Sequence, residues 1–173
     1  RKAALEQRER LTVALQRITL RDFVIVESLD LELQSGFTVL TGETGAGKSI
    51  VIEALQLVMG ARADAQVVRE GCARADISAA FDPPEAALPL LQDYGIPDSP
   101  DEALLLRRTI DNQGKSRGWI NGTPATATQL RALGAVLVDI YGQHAWQSLL
   151  QADAMRGLLD GYGRIASHDI ARL

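Results

Sequence analysis

Apolar and polar residues alternate over residues 17–21 and 29–33, with the period of two that a half-buried β-strand shows, and Phe23–Val26 between them is apolar throughout. We predict two strands there, with a bend near Ser28. The run Phe37–Leu40 is mostly apolar, which predicts a short strand buried on both faces. Residues 49–59 are apolar almost all round a helix, and Gly60 supplies the end of that helix.

The middle of the chain is again strand-like. Three segments have the expected pattern: ADISAAF from Ala75, ALLLRRTI from Ala103 and KSRGWI from Lys115. Residues 82–100, between the first two, hold five of the six prolines, which predicts a loop with room for one helical turn. The turn signals Asn112-Gln113-Gly114 and Asn121-Gly122 predict hairpins over residues 103–125.

Helical patterns dominate the carboxy-terminal part. Thr126 or Thr128 is expected to cap a helix that Gly134 ends. Residues 135–140 then read as another buried strand. From residue 152 onward the pattern is helical, and we predict the start of a coiled-coil arm over residues 152–173. Its apolar positions are Met155, Leu158, Leu159 and Ile165.

Composition indicates a globular protein rather than a membrane or disordered one. The 173 residues fit one domain, and 46% are apolar against 23% charged. No apolar run approaches the roughly 20 residues that span a bilayer, so we expect no membrane association. A net charge of −4 gives no indication of nucleic-acid binding by the chain as a whole. The single cysteine, Cys72, cannot form an internal disulfide, which fits the reducing cytoplasm.

Residues 1–16 are rich in charge and in helix formers, and we expect an extension of unknown role, either helical or introduced with the expressed sequence. The folded lobe that follows this extension is expected to span residues 17–151. The first residue is not methionine, and the last residues stop within a helical pattern. We therefore expect a segment of a longer protein.

A phosphate-binding loop follows the Phe37–Leu40 strand. The match to G-x-x-x-x-G-K-[ST] is complete, and it comprises Gly42, Glu43, Thr44, Gly45, Ala46, Gly47, Lys48 and Ser49. Glycines let successive backbone N–H groups point at one oxyanion, and the following helix adds the positive end of its dipole. Lys48 is expected to lie against the β- and γ-phosphates, and the Ser49 hydroxyl to coordinate Mg²⁺. Strand, loop and helix in register predict a nucleoside-triphosphate site.

The stretch VLVDIYGQH, Val136–His144, admits three interpretations. Its Asp-x-x-Gly-Gln resembles a switch of small GTPases, but no guanine-selecting Asn-Lys-x-Asp element follows before Leu173. In a self-contained ATPase or kinase, Asp139 would hold the magnesium ion. That interpretation also needs an arginine or basic lid and a sheet that continues past Ile140.

The third interpretation comes from the order of the predicted elements. Antiparallel strands, a phosphate loop, a hairpin layer and a strand ending in Gly-Gln form the first half of an ABC-type ATPase head. Gln143 would then contact Mg²⁺ and the attacking water, and Asp139 would be structural. The sequence contains neither a Ser-Gly-Gly signature nor an apolar run ending in Asp-Glu. Such a chain is half an enzyme, and we expect it to be inactive alone.

Several segments together resemble the amino-terminal head segment of the RecN family of bacterial DNA repair proteins, which are SMC-like ATPases. The segments are RDFVIVESLDLEL, FTVLTGETGAGKSIVIEAL, GARAD, RADISAAF, LLLRRTID, GKSRGWINGTPAT, QLRALG and VDIYGQHAWQSLL. The resemblance covers about residues 17–160. It implies an α/β P-loop fold, the amino-terminal lobe of an ABC/SMC-type head, with an antiparallel β layer.

The same resemblance implies ligands and partners. They are ATP with Mg²⁺, a coiled-coil arm, a carboxy-terminal lobe carrying the signature and catalytic residues, and a second head of a homodimer that sandwiches ATP. The implied activity is recombinational repair of DNA double-strand breaks in the cytoplasm, at the nucleoid. Residues 42–49 would bind the phosphates, and Gln143 would be the coupling glutamine that contacts Mg²⁺.

The chain departs from the family in two places. Residues 1–16 have no counterpart there. Where the family tends to read Gln-His-Glu-His-Gln, this chain has Gln-His-Ala-Trp-Gln over residues 143–147, which removes the basis for a second histidine role. His144 itself is expected to be a hydrogen-bonded structural residue.

Positive charge concentrates on the predicted hairpin strands beside Trp119, at Arg107, Arg108, Lys115 and Arg117. Such a surface would attract DNA phosphates or a second head. We favour a solvated sheet face instead, balanced by three acidic residues: Asp101, Glu102 and Asp111. One of Arg62, Arg69 and Arg74 is expected to contact a phosphate or the facing subunit, and Arg21 is a weaker candidate for a contact with the base or a phosphate.

Overall fold

The computed structural model describes residues 15–34, 36–41, 47–96, 103–138 and 140. Within these ranges the strands are β1 (Leu15–Phe23), β2 (Val26–Glu32), β3 (Arg74–Phe81), β4 (Leu104–Asp111), β5 (Ser116–Ile120) and β6 (Thr123–Ala125). The α-helices are α1 (Lys48–Val58), α2 (Leu88–Asp93) and α3 (Ala127–Leu137). All of these elements belong to one compact unit that ends at Val138.

The strands form a single antiparallel sheet in the order β2-β1-β3-β4-β5-β6. Buried and less buried residues alternate along β3 and β4, as the period of two predicts. Helix α1 packs on β3 and β4, and α3 packs on β5. One face of the sheet therefore carries the core, and the other face is largely polar. The predicted α/β fold with a substantial antiparallel layer is confirmed.

The first hairpin turns earlier than predicted. Phe23 pairs with Val26, so the turn lies at residues 24–25, and Ser28 lies inside β2. Val24 has a left-handed backbone (φ 53°), which is rare for a β-branched residue. Its N–H donates to the carbonyl of Val67 at 2.8 Å. The neighbouring segment fixes this turn, so turn-forming residues are not required there.

The lobe also begins earlier than predicted. Leu15 pairs with Phe81 in the sheet, and the N–H of Leu33 donates to the carbonyl of Gln16 at 2.8 Å. The two residues therefore belong to β1 and not to an extension. Residues 1–14 and the predicted arm over residues 152–173 lie outside the described residues.

Residues 37–40 do not form the predicted buried strand. Phe37, Val39 and Leu40 are 93%, 63% and 43% exposed. A strand that is buried on both faces needs neighbouring strands and covering helices. None of the six described strands pairs with this segment. The strand that precedes it in the chain, β2, forms the edge of the sheet.

The proline-rich stretch holds more structure than predicted. A 3₁₀ turn at Glu85–Ala87 leads into α2, and Leu91 is buried in the core. Pro89 lies in the first turn of α2, where its missing N–H costs nothing.

Helix α3 corrects two predictions. Thr126, not Thr128, caps it, in a capping box with Gln129. The helix continues through Gly134 to Leu137, so residues 135–137 are helical and the predicted strand over 135–140 is wrong. Gly134 is buried against Met59, and this contact, not a helix stop, accounts for the glycine. Among the described residues, no helix has both the length and the apolar character needed to cross a membrane.

Candidate nucleotide site

The phosphate-loop motif enters the described structure at Gly47. Gly42–Ala46 and the side chain of Lys48 lie outside the described residues, as do Asp139, Gln143 and His144. Gly47 occupies the N-cap position of α1, with φ −125° and ψ −45°. A β-carbon placed on Gly47 would meet nothing within 4 Å, so the backbone here is open to close approach by a ligand.

The amino terminus of α1 has no side-chain cap, and its first turn contains no acidic residue. Helix α3 differs, since Thr126 caps its first turn. The first N–H groups of a helix need an acceptor, and an anion is a suitable one. Ser49 is exposed in this first turn. The described part of the loop therefore fits a phosphate group, with the Ser49 hydroxyl available as an oxygen ligand for Mg²⁺.

At its other end, α1 is held by two arginines from elsewhere in the chain. Arg108 is 4% exposed and donates to the carbonyl oxygens of Leu57 (2.7 Å) and Ala61 (2.5 Å). Its other terminal nitrogen donates to Ser116 Oγ at 3.0 Å. Arg131 of α3 donates to the carbonyl of Gly60 at 3.1 Å.

Burial, and then repulsion from Arg131, lower the pKa of Arg108. The ordinary pKa of arginine is so high that the side chain stays charged. The sequence interpretation missed this core role. The signal was the period of two in β4, which places Arg108 on the buried face with Leu106 and Ile110.

The predicted cluster of positive charge is divided between the two faces of the sheet. Arg107 points opposite to Arg108, forms an ion pair with Asp76 and lies 5.5 Å above the Trp119 ring. Arg117 and Lys115 are exposed. The positive charge on the exposed face of the sheet is thus partly balanced, as expected. The acidic residue that balances it is Asp76 of β3, which was not among the three predicted.

Of the three acidic residues expected to balance this charge, only Asp111 lies in the described structure, and no ion pair of Asp111 is found there. Asp111 accepts bonds from the N–H groups of Gln113 and Lys115 in the hairpin turn. Asp101 and Glu102 lie outside the described residues.

The other candidate arginines are spread over the surface. Arg21, Arg62 and Arg74 are exposed, whereas Arg69 forms an ion pair with Asp22, with 3.2 Å between nitrogen and oxygen. The structure does not gather these side chains into one group.

Asp22 also accepts a hydrogen bond from the Cys72 thiol at 3.2 Å. The bond from Cys72 and the contacts with Arg69 lower the pKa of Asp22. The same bond, together with burial and the negative charge of Asp22, raises the pKa of Cys72. Cys72 is therefore held as a neutral thiol and is not an activated nucleophile.

Metal-binding side chains do not cluster in the described part of the chain, where no group of three or more His, Cys, Asp or Glu residues is found. Of the two predicted magnesium ligands, Ser49 is described and Gln143 is not. The self-contained ATPase interpretation needs a strand leading to Asp139, but α3 occupies residues 135–137.

The AAA-domain family matches residues 17–123. The chain belongs to this AAA-domain family. It is 43% identical over 150 residues to DNA repair protein RecN of Vibrio cholerae, covering 86% of this chain and 27% of that protein. With RecN of Haemophilus influenzae the identity is 45% over 153 residues, with 86% and 27% covered. The resemblance to the RecN family is confirmed. This AAA-domain chain spans about a quarter of the length of these relatives.

Solved structures support the same fold. One comes from a study described as "Structural biochemistry of ATP-driven dimerization and DNA stimulated activation of SMC ATPases". It matches with a TM-score of 0.61 and 20% identity, covering 85% of this chain and 98% of that one. The Smc head domain from Pyrococcus furiosus, with an extended coiled coil, matches with a TM-score of 0.60 and 19% identity, covering 80% and 38%. At such identities the likeness concerns the fold, which is that of an SMC-type P-loop lobe.

Proposed function

We propose that this chain is the ATP-binding amino-terminal lobe of an SMC-like ATPase head that acts in recombinational repair of DNA double-strand breaks. One observation carries the proposal. A full phosphate-loop motif over residues 42–49 runs into the uncapped amino terminus of α1, whose N-cap is Gly47. The chain that carries it is 43% and 45% identical to the two RecN proteins named above, over 86% of its length.

Residues 42–49 bind the triphosphate in this proposal. The backbone N–H groups of the loop and the first turn of α1 surround the phosphates, and Lys48 neutralises the β- and γ-phosphates. Ser49 and Gln143 hold Mg²⁺, which offsets the negative charge of the phosphates when it is bound. The open space around Gly47 and the exposure of Ser49 support this arrangement.

Hydrolysis requires a partner in this proposal, because the sequence contains neither a Ser-Gly-Gly signature nor an apolar run ending in Asp-Glu. The partners are a carboxy-terminal lobe of the same protein and a second head, with ATP between the two heads. The exposure of Phe37, Val39 and Leu40 supports a neighbouring lobe, since these apolar residues precede the loop and no described strand covers them. We further propose that the lobe extends to residue 151 and that residues 152–173 begin a coiled-coil arm. DNA is bound by the assembled protein.

The first experiment tests nucleotide binding. ATP with Mg²⁺ should raise the midpoint temperature of unfolding of the chain, because a ligand that binds only the folded state stabilises it. Lys48→Ala should remove that rise. Lys115→Ala is the matched control, since Lys115 is exposed in a hairpin turn remote in sequence from the loop, and it should keep the rise. An equal rise with Lys48→Ala, or a preference for GTP over ATP, would contradict the proposal.

A further inference from the structure

We propose that Arg108 is a positioning residue for the nucleotide site. Its buried guanidinium holds the carboxy-terminal end of α1 and so determines where the amino-terminal end of that helix meets the phosphates. The inference rests on the proposed function, because it assigns Arg108 a part in ATP binding. Arg108 itself is at the opposite end of α1 from the phosphate loop.

The contacts of Arg108 are directed at backbone atoms. The carbonyls of Leu57 and Ala61 lie on either side of the residues that end α1, and both accept from the same guanidinium nitrogen, Nη1. The last turn of α1 contains no basic residue of its own. The carbonyl oxygens at a helix end carry partial negative charge, which a cation satisfies. Arg108 therefore supplies from β4 a charge that the helix lacks.

Burial of Arg108 costs more free energy than burial of an apolar side chain would. Burying a cation carries a large desolvation cost, and an apolar residue of similar size is often as stabilising. The neighbours of Arg108 on the inner face of β4, Leu106 and Ile110, are apolar and fully buried. In the described structure Arg108 forms no ion pair, and its partners are the carbonyls of Leu57, in the last turn of α1, and Ala61, just beyond it, together with Ser116. The hydrogen bonds of this side chain thus fix the orientation of the end of α1, which apolar packing alone does not fix.

The directional hold complements the apolar contacts of α1. Ala54, Leu57 and Val58 already bury that helix in the core, but apolar contacts allow small rotations and shifts along the axis. Hydrogen bonds to carbonyl oxygens restrict both movements, because they weaken steeply with angle and distance. Helix α1 has 11 residues, a length of about 16 Å, and acts as a short rigid rod. A shift at one end therefore displaces the amide donors at the other end.

Helix α3 makes a second contact with the same end of α1. Arg131 donates to the carbonyl of Gly60, and a β-carbon on Gly60 would lie 2.8 Å from the backbone nitrogen of Arg131. Arg131 is exposed, and it reaches one carbonyl where Arg108 reaches two. We expect its contribution to be the smaller of the two.

The test compares ATP affinity and folding in the same variants. Arg108→Met keeps the bulk of the side chain and removes the charge and the donors, whereas Arg108→Lys keeps the charge with fewer donors. Dissociation constants for ATP with Mg²⁺ are measured by titration calorimetry, at a temperature where circular dichroism shows each variant fully folded. We expect Arg108→Met to weaken binding about tenfold, because hydrogen bonds from displaced N–H groups to the phosphates weaken steeply with angle and distance. Arg108→Lys should recover part of the loss.

Phe81→Leu is the control for lost stability alone. Phe81 is fully buried at the end of β3, four residues along that strand from Ile77, the partner of Arg108. This variant should unfold at a lower temperature and bind ATP as the unaltered chain does. Equal affinity of Arg108→Met and the unaltered chain would overturn the inference.

If Arg108→Met does not fold, Arg108→Lys and Arg131→Met decide, and unchanged affinity in both overturns the inference. Failure of the unaltered chain to bind ATP is a separate outcome. It refutes the proposed function, and the inference falls with it.

Discussion

Gly134 lies against Met59 so closely that a β-carbon on the glycine would be 2.7 Å from the Met59 β-carbon and 3.3 Å from its carbonyl oxygen. Real β-carbons essentially never approach to 2.7 Å. The two residues join α3 to the end of α1, so the glycine permits a close helix contact. This contact explains why α3 runs through Gly134 although glycine commonly ends helices.

Gly134→Ala is expected to lower the free energy of unfolding by about 1–3 kcal/mol, the usual cost of overpacking a core. Alanine is the better helix former by about 1 kcal/mol, but the clash involves the β-carbon of Met59, which cannot rotate away. Urea denaturation measures the change. Ala135→Gly, at an exposed position of the same helix, measures the difference in helix propensity between alanine and glycine without the clash. A more stable Gly134→Ala variant would show that the helices separate easily.

Thr126→Ala is expected to destabilise the protein by about 1 kcal/mol, because it removes the capping box at the start of α3. The N–H of Gln129 loses its acceptor, Thr126 Oγ1. Thr128→Ala removes the same atoms from an exposed position inside the helix and should change stability by no more than about 0.5 kcal/mol. Thermal unfolding of the two variants side by side tests the assignment, and equal losses would contradict it.

Acid should remove stability that two carboxylates contribute. The pKa of Asp22 is lowered by its bonds from Cys72 and Arg69, and the pKa of Asp30 is lowered by Arg17. A lowered pKa stabilises the folded state above the ordinary value of 3.8, and the contribution is lost as pH falls through the folded-state value.

We therefore expect the free energy of unfolding to drop below about pH 4, and to drop less steeply in the double variant Asp22→Asn, Asp30→Asn. Asparagine tolerates the left-handed backbone of residue 22 (φ 51°). Urea denaturation between pH 3 and pH 6 is the measurement. Asp82→Asn, at an exposed loop position, is the control and should leave the slope unchanged. The same slope in the double variant and the unaltered chain would refute the assignment.

The rate of Cys72 alkylation tests the hydrogen bond between Cys72 and Asp22 through the pKa of the thiol. The bond to Asp22 raises the pKa of this thiol, and only the thiolate reacts. Asp22→Asn should shift the pH profile of the iodoacetamide reaction to lower pH. Cys72 is the only cysteine, so a single rate is observed. Asp30→Asn should leave the profile in place, and an unshifted profile in Asp22→Asn would show that the thiol does not contact Asp22.

ATP turnover distinguishes the proposed half site from a self-contained enzyme. The chain alone should hydrolyse essentially no ATP, and addition of the carboxy-terminal part of its protein should restore turnover. In the restored assembly, Gln143→Ala should lower turnover about 100-fold or more, as loss of a group acting in the transition state does. Asp139→Ala should have little effect on turnover. Robust turnover by the chain alone that Asp139→Ala abolishes would favour the self-contained ATPase.

Local chemistry made much of this protein readable from its sequence. Neighbouring residues alone were enough to predict the start of α1 near Lys48, the strands β3, β4 and β5 and both glycine-containing hairpin turns, and to identify the phosphate-loop motif. Periodicity and turn chemistry carry that information.

The tertiary structure decided what depends on distant partners. It placed Arg108 inside against the carbonyls of α1, continued α3 past Gly134, and turned the first hairpin at Val24 with the help of Val67. It also left Phe37 exposed, although apolar sequence alone predicts burial. In each case the environment comes from a segment distant in the chain, or from a surface that the described residues do not cover. Local pattern cannot encode either one.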